Sequence, residues 1–187
     1  MYLMSEGTWI EQHFFQPRNV GDAGEPSFVG LAASMECGAA VRVSIQIDES
    51  HCISQAKFKA AGCNALVASL SMLTEQVTGM MPAEAAIVTR SLSNISPFSE
   101  HTDCAKLACD ALLTAIQKYS DAARDEWNGD DALICTCFCV SERVIETEIA
   151  QKGLTEVAEV TRACNAGGGC GSCHPLIEEM LGSINGP

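Results

Sequence analysis

The sequence has few basic residues. Lysine and arginine number 11 against 24 aspartates and glutamates, which gives a formal net charge of −13. Both parts of the chain share this deficit, because residues 1–128 hold 8 basic and 15 acidic side chains and residues 129–187 hold 3 and 9. Affinity for nucleic acid depends on lysine and arginine contacts to phosphate. The charge balance therefore argues against a nucleic-acid partner.

Long hydrophobic runs are also missing. No stretch approaches the roughly 18 uncharged apolar residues that a membrane span needs, although 47% of the residues are hydrophobic, enough for ordinary globular cores. The N-terminus carries Glu6 and Glu11 where an export signal has basic residues followed by an apolar run. We therefore expect a cytoplasmic protein with no membrane partner.

Cysteine, in contrast, is abundant. The chain has 11 cysteines, an odd number that does not suit a closed set of disulfides, and a reducing cytosol keeps cysteines as thiols. Without an export signal, metal or sulfur chemistry explains this number better than a disulfide framework does.

Hydrophobic periodicity predicts a small sheet followed by helices. Residues 41–48 alternate apolar and polar side chains, and so do residues 56–60, so 41–48 and about 52–60 are predicted to be neighbouring antiparallel strands joined by a polar DESH turn. The 3.6-residue period and the positions of glycine and proline predict the helices. They cover WIEQHFF, 64–79, 81–90, about 103–119, 141–151, about 155–164, and a last helix from Pro175.

The polar, charged stretch 121–131 contains an Asn-Gly pair and is predicted to be a linker. We therefore expect two domains, residues 1–126 and residues 132–187.

Two close pairs of cysteines lie in the second part. Cys135 and Cys137 form a C-x-C pair, and after 32 intervening residues Cys170 and Cys173 form a C-x-x-C pair. Four converging thiolates can hold a [2Fe-2S] cluster or a tetrahedral zinc ion, and the spacing alone leaves both open. Simple burial is the poorer explanation for two such tight pairs. The glycines of AGGGCGSC permit positive φ and a close approach of backbone N–H groups to an anionic centre.

The run ICTCFCVSERVIETEIAQKGLTEVAEVTRACNAGGGCGSCHPLIEEML resembles the central [2Fe-2S] domain of the NifU family, which is related to bacterioferritin-associated ferredoxin (BFD). The resemblance covers residues 134–181 and is carried by C-x-C-F-x-V-S and by GGGCGSCHP. It implies a small helical domain that holds a permanent [2Fe-2S] cluster. The implied ligands are Cys135, Cys137, Cys170 and Cys173.

Three neighbouring residues are left outside that ligand set. Cys139 falls at the variable position of the motif, but in an extended segment it shares a face with Cys135 and Cys137, so it remains an alternative ligand. Cys164 lies in a helical pattern and is assigned to packing. We expect His174 to cap the last helix or to form a hydrogen bond near the cluster.

Three cysteines of the first part, Cys37, Cys63 and Cys104, each lie at a predicted junction between elements. Helix N-termini favour thiolates, and three thiolates converging from loops leave one coordination position open. The spacing alone is a weak signal, because scattered cysteines are more often core residues.

The segments around these cysteines resemble the U-type scaffold domain shared by IscU and the N-terminal part of NifU. They are HFFQPRNVGD, ECG, AKFKAAGCNALVASLSMLTEQVTG and DCAKLACDALLTAI, within about residues 5–120. The resemblance implies an α+β domain in which helices cover a small antiparallel sheet, with Cys37, Cys63 and Cys104 as metal ligands. It also implies a homodimer and a transient cluster built from iron and the sulfur of a cysteine desulfurase of the NifS or IscS type. Zinc can substitute for iron there, because three thiolates with one oxygen or nitrogen ligand satisfy its tetrahedral preference.

The sequence departs from this family pattern at several positions. Ala39 stands where an aspartate is usual, and Asp103 precedes the third cysteine where a histidine is frequent, with His101 two residues further back. We include Asp103 as a candidate fourth ligand. ISPFSEHT replaces the expected chaperone-recognition segment, and we expect no C-terminal Nfu-like module.

Together these features predict an iron–sulfur cluster assembly scaffold that is not an enzyme and that passes clusters to apo iron–sulfur acceptor proteins. Two alternatives remain. One is a [2Fe-2S] electron-transfer protein with a scaffold-derived docking domain, and the other is a zinc-binding regulatory module.

Overall fold

The computed structural model describes residues 6–94, 102–126 and 131–186. His101 and most of ISPFSEHT lie outside these ranges. The described residues form seven helices and five strands. The helices are α1 (Glu6–Phe15), α2 (Asn64–Val77), α3 (Pro82–Asn94), α4 (Thr102–Glu126), α5 (Glu142–Lys152), α6 (Val157–Cys164) and α7 (His174–Asn185). The strands are β1 (Phe28–Ser34), β2 (Ala39–Ile47), β3 (Ile53–Ala61), β4 (Leu133–Cys135) and β5 (Val140–Ser141).

Strands β1, β2 and β3 form an antiparallel sheet with β2 in the centre. The alternation seen in the sequence places Val41, Val43 and Ile45 in the core, each at most 3% exposed. Asp48 organises the predicted DESH turn by accepting hydrogen bonds from the N–H groups of Ser50 and Cys52. The mixed α+β fold and the pairing of the two predicted strands are confirmed.

The third strand, β1, does not follow from the sequence pattern. Its FVGLAAS segment does not alternate cleanly, and a glycine usually weakens a strand. Here a β-carbon on Gly30 would overlap the carbonyl oxygen of Ala111 and would lie 2.6 Å from the nitrogen of Ala115. The missing side chain therefore lets α4 lie directly against this strand.

The predicted linker is partly wrong. Helix α4 continues to Glu126, well past the predicted end near residue 119, and takes in the polar residues 121–126. Packing divides the described chain into two compact units. One contains residues 81–87 and the chain from residue 119 onward, and the other contains the rest.

The second unit is a short β4–β5 hairpin with α5, α6 and α7. Its core includes Ile145, Ile149, Val160 and Ile177, each fully buried. Gly153 caps the end of α5 and Asn165 caps the end of α6, both in the left-handed conformation that closes helices. The predicted helices over 141–151 and about 155–164 are confirmed to within two residues.

Among the helices of the described residues, none combines the length and the apolar character needed to cross a membrane.

In the first unit, a buried histidine joins α1 to α2. His13 is 5% exposed, and its Nδ1 lies 2.9 Å from the hydroxyl of Ser71. That hydroxyl accepts a hydrogen bond from the backbone N–H of Arg18, whose guanidinium pairs with Glu75. The hydroxyl proton can then be donated to Nδ1, which accepts it only when His13 is neutral.

We expect the protonation of His13 to destabilise the protein below neutral pH. Burial, and next the charge of Arg18, lower the pKa of His13, with Glu75 acting in the opposite direction. The unfolded chain therefore binds this proton more tightly. The free energy of unfolding should be fully retained above the ordinary histidine pKa of about 6.5 and should fall as the pH drops from there to the folded-state pKa.

His13→Gln should flatten this dependence in urea unfolding between about pH 5.5 and 7.5. His51→Asn is the matched control, because His51 is exposed and its backbone is left-handed (φ 58°), which asparagine tolerates. If the unfolding free energy of His13→Gln varied with pH as steeply as that of the wild type, other groups would be the cause of the pH dependence.

Candidate metal centres

The four predicted thiols of the second unit form two pairwise contacts. Cys135 ends β4 and Cys137 follows in the turn, whereas Cys170 lies in the glycine-rich turn and Cys173 precedes α7. The sulfurs of Cys137 and Cys170 are 3.5 Å apart, and the thiols of Cys135 and Cys173 are hydrogen-bonded to each other. Each contact thus joins one cysteine of the C-x-C pair to one of the C-x-x-C pair.

The two contacts differ in their exposure to solvent. Cys135 and Cys173 are 2% and 5% exposed, whereas Cys170 lies at the surface and Cys137 is half-buried. Burial, and then Cys135, raise the pKa of Cys173 to about 11, and burial also raises the pKa of Cys137. The Ser172 hydroxyl, 3.0 Å from the sulfur of Cys170, is the main cause that lowers the pKa of Cys170 to about 7. Cys170 therefore ionises before Cys137 and Cys173, and ionised thiols are the form that binds metal.

A glycine makes the contact between the two cysteine segments possible. A β-carbon on Gly169 would lie 2.5 Å from the β-carbon of Cys137 and 2.6 Å from its sulfur. The expectation that this turn uses positive φ is met at Gly167 and Gly171, with φ of 87° and 77°.

Cys139 and Cys164 lie outside these contacts. Cys139 ends the β4–β5 turn with φ of 51°, and burial raises its pKa. The thiol of Cys164 donates to the carbonyl of Val160 in its own helix, and burial raises its pKa to about 11. Both thiols interact electrostatically with Cys135, so the choice of four ligands remains a prediction.

In the first unit, Cys63 and Cys104 are brought together from the starts of two helices. Cys63 precedes α2, Cys104 lies in the first turn of α4, and their sulfurs are 3.0 Å apart. This distance is well beyond a disulfide bond of about 2.05 Å, and both cysteines are free.

Cys37 lies exposed in the turn between β1 and β2. A hydrogen bond from the Ser34 hydroxyl, and a second from the backbone N–H of Ala39, lower the pKa of the Cys37 thiol. The methyl group of Ala39 is buried, 2% exposed, and packs towards Gly62. The position where the family usually has aspartate therefore faces the interior at the start of β2.

Asp103 is exposed and interacts electrostatically with both Cys37 and Cys104. Burial is the first cause that raises the pKa of Cys104 to about 12, followed by Cys63, Cys37 and Asp103. Ionisation of Cys104 therefore places a further negative charge beside these groups, a cost that a bound cation offsets. Within the described residues, no three His, Cys, Asp or Glu side chains stand close enough together to hold a metal ion in the present arrangement. The same finding holds for the four cysteines of the second unit, whose thiols meet in two pairs.

Several residues that shape the sites were not found from the sequence. Ser34 and Ser172 tune neighbouring thiols, and each lies within three residues of its cysteine, which is the only signal they carry. His174 bonds through Nε2 to the carbonyl of Gly167 at 2.8 Å, which agrees with the expected hydrogen bond near the cluster site.

Comparison with known proteins matches both parts of the chain. Residues 6–125 match the NifU-like N terminal domain, and residues 133–183 match the BFD-like [2Fe-2S] binding domain. The nitrogen fixation protein NifU of Nostoc sp. is 34% identical over 186 residues, covering 91% of this chain and 61% of that protein. The chain thus spans less than two thirds of the length of that relative.

A second relative matches a shorter stretch of the chain. The iron–sulfur cluster assembly scaffold protein IscU of Azotobacter vinelandii is 34% identical over 115 residues, which cover 59% of this chain and 90% of IscU. Among solved structures, a candidate SUF-system scaffold from Fervidobacterium islandicum AW-1 has a TM-score of 0.52 at 20% identity, and the match covers 60% of this chain and 96% of that one. This likeness supports the fold alone.

The chain therefore belongs to the NifU-like N-terminal domain family and continues into a BFD-like [2Fe-2S] binding domain.

Proposed function

We propose that this protein is an iron–sulfur cluster assembly scaffold. Its first unit receives iron, together with sulfur from a cysteine desulfurase, and passes the assembled cluster to apo iron–sulfur proteins. The observation that carries this proposal is the 3.0 Å contact between Cys63 and Cys104 at two helix N-termini, with the exposed thiol of Cys37 as the third donor.

The geometry suits a cluster that is built and then released. Cys37 and Cys63 are exposed, so sulfur carriers and acceptors can reach them. Asp103 interacts with two of the three thiols and is our candidate for the fourth ligand. The scaffold holds and transfers its cargo without turning over a substrate, so we assign it no enzymatic activity.

The second unit suits a resident [2Fe-2S] cluster. Four thiols in two contacts supply the required donor set, and the missing side chain of Gly169 leaves room beside Cys137. The proposed ligands are Cys135, Cys137, Cys170 and Cys173. When bound, such a cluster supplies single electrons, which the reduction of persulfide sulfur to sulfide consumes. Tethering it to the assembly site raises its effective concentration there.

The two alternatives have less support. A zinc module does not account for the match of residues 133–183 to a [2Fe-2S] binding domain. An electron carrier alone does not account for the match of residues 6–125 to the NifU-like N terminal domain, nor for a likeness to IscU along 90% of that protein. The best support for the electron carrier is the pair of departures at Ala39 and Asp103.

We predict that Cys135→Ser and Cys173→Ser bleach or severely destabilise the permanent cluster, because each removes a buried thiolate ligand. Cys139→Ser should keep it, since the thiol of Cys139 lies outside the two contacts. Cys164→Ser is a matched control in the same unit. Visible absorption with iron, sulfide and zinc analysis of anaerobically purified protein gives the answer, and a colourless Cys139→Ser protein would overturn the ligand assignment.

We predict that a Cys37→Ser, Cys63→Ser, Cys104→Ser triple variant keeps the permanent cluster but loses the desulfurase-dependent gain of further iron and sulfide. The reason is that serine hydroxyls do not replace thiolates as soft ligands. Cys52→Ser, which changes another cysteine of the first unit, should accumulate both as the wild type does. Unchanged accumulation in the triple variant would favour the electron-transfer alternative.

We predict that Ala39→Asp speeds the loss of the transient cluster to a chelator or apo-acceptor, on the order of tenfold for a competing ligand worth about 1.4 kcal/mol. A carboxylate two residues after Cys37 can compete as a hard oxygen ligand, whereas a methyl group cannot. Ala39→Asn is the matched control, because it introduces nearly the same volume at this buried position without the charge.

The measurement is the decay of visible absorption after anaerobic reconstitution, corrected with the triple variant for the permanent cluster. Equal decay in the Asp and Asn variants would mean that a carboxylate at this position does not affect the rate at which the transient cluster is lost.

Asp103→Ala should change the visible spectrum of the transient cluster if the Asp103 carboxylate is its fourth ligand.

A further inference from the structure

The loop that carries Cys170 and Cys173 begins at a buried asparagine. The side chain of this asparagine forms a hydrogen bond with a helix that is distant in the sequence. Asn165 is 4% exposed and closes α6 in the left-handed conformation, with φ of 68°. Its side-chain oxygen accepts a hydrogen bond of 2.9 Å from the backbone N–H of Ala83. Ala83 is in the first turn of α3, where backbone N–H groups have no partner within the helix. Asn165 therefore caps α3 from 82 residues away.

The same loop lies directly on that first turn. Ala83 is fully buried, and a β-carbon added to Gly168 would overlap its methyl group and lie 2.9 Å from its α-carbon. Residues 81–87 belong to the same compact unit as the loop. The backbone of the loop thus packs directly against the first turn of α3.

Two further side chains form hydrogen bonds with the backbone of the loop. The Thr161 hydroxyl donates to the carbonyl of Ala166 at 2.6 Å, and Nε2 of His174 bonds to the carbonyl of Gly167 at 2.8 Å. Four consecutive buried residues, 165–168, are each fixed by a different contact before Gly169 meets Cys137. The place of Cys170 relative to Cys137 follows from this fixed stretch.

We propose that the first turn of α3 is part of the permanent cluster's site, and that Asn165 is the positioning residue that fixes the cysteine loop to it. This inference rests on the [2Fe-2S] occupancy of the second unit proposed above. Ala83 lies within residues 6–125, which match the NifU-like N-terminal domain, and outside the matched [2Fe-2S] domain. The residues that set the cluster's environment therefore extend beyond the cysteine-bearing segment.

The test uses the full chain in the Cys37→Ser, Cys63→Ser, Cys104→Ser background, in which only the permanent cluster contributes. Asn165→Gly keeps a residue that tolerates the left-handed backbone and removes only the side-chain cap. Asn185→Ala is the control, because it removes another asparagine hydrogen bond of the same unit, to the carbonyl of Leu154. The readouts are the rate of cluster loss to a chelator, the reduction potential, and the electron paramagnetic resonance spectrum of the reduced cluster.

We expect Asn165→Gly to speed cluster loss by about fivefold, as the loss of one net hydrogen bond implies, and to alter both the potential and the spectrum. Asn185→Ala should leave all three at the wild-type values. A lower unfolding temperature in Asn165→Gly with an unchanged spectrum, potential and loss rate would overturn the proposal, because it would reduce Asn165 to a purely structural role.

A second pair of variants tests the contact between Gly168 and Ala83. Gly168→Ala alone should alter the spectrum and speed loss, because its methyl group meets that of Ala83. Combining it with Ala83→Gly should restore part of both, a coupling that two independent sites would not give. Strictly additive effects would contradict the proposal.

If the background protein holds no [2Fe-2S] cluster at all, the proposed occupancy fails and this inference fails with it. A normal cluster whose loss rate, potential and spectrum are the same in every variant would overturn this inference alone.

Discussion

Both thiol sites depend on the backbone coming closer to a cysteine segment than a side chain would allow. At the second site, the absent β-carbon of Gly169 would lie 2.5 Å from the β-carbon of Cys137. At the first site, a β-carbon on Gly62, next to Cys63, would lie 2.6 Å from a methyl carbon of Leu66 and 3.2 Å from the β-carbon of Ala39. Ala39 follows Cys37 by two residues, so this close packing brings two cysteine-bearing segments together. The distances between thiols follow from these contacts of the chain.

The sites differ in how much of each thiol is buried, and this difference matches two ways of handling a cluster. Cys135 and Cys173 lie in the interior, where an uncompensated thiolate is costly and a bound cation offsets that cost. We expect a cluster proposed at these thiols to be retained, because its release requires the buried Cys173 thiolate, whose pKa is raised to about 11, to take up a proton. Cys37 and Cys63 are exposed, so water can solvate their thiolates after release. The proposed retention at one site and the proposed exchange at the other therefore have one physical basis, the access of solvent to the thiols.

The sequence predicts those features that depend on neighbours along the chain. Alternation located strands β2 and β3, and the 3.6-residue period located α2, whose Leu66, Leu70 and Val77 are fully buried. It did not locate β1, because Gly30 and small residues blur the alternation and the strand is stabilised by α4 from a distant part of the chain. The eight proposed ligands came from cysteine spacing and family resemblance. The serines that tune Cys37 and Cys170 carry no comparable pattern, since their effect depends on side-chain orientation.

The stretch 121–131 shows why composition alone does not separate a linker from a helix. A solvent-facing helix and a linker both require polar side chains, and residues 121–126 provide them while continuing α4. Helices α3 and α4 each begin in one compact unit and end in the other, so a boundary drawn where composition changes does not coincide with a boundary in packing. The bond between Asn165 and Ala83 has the same character, because it joins positions 82 residues apart. Such a contact depends on the path of the backbone, and local sequence patterns do not predict it.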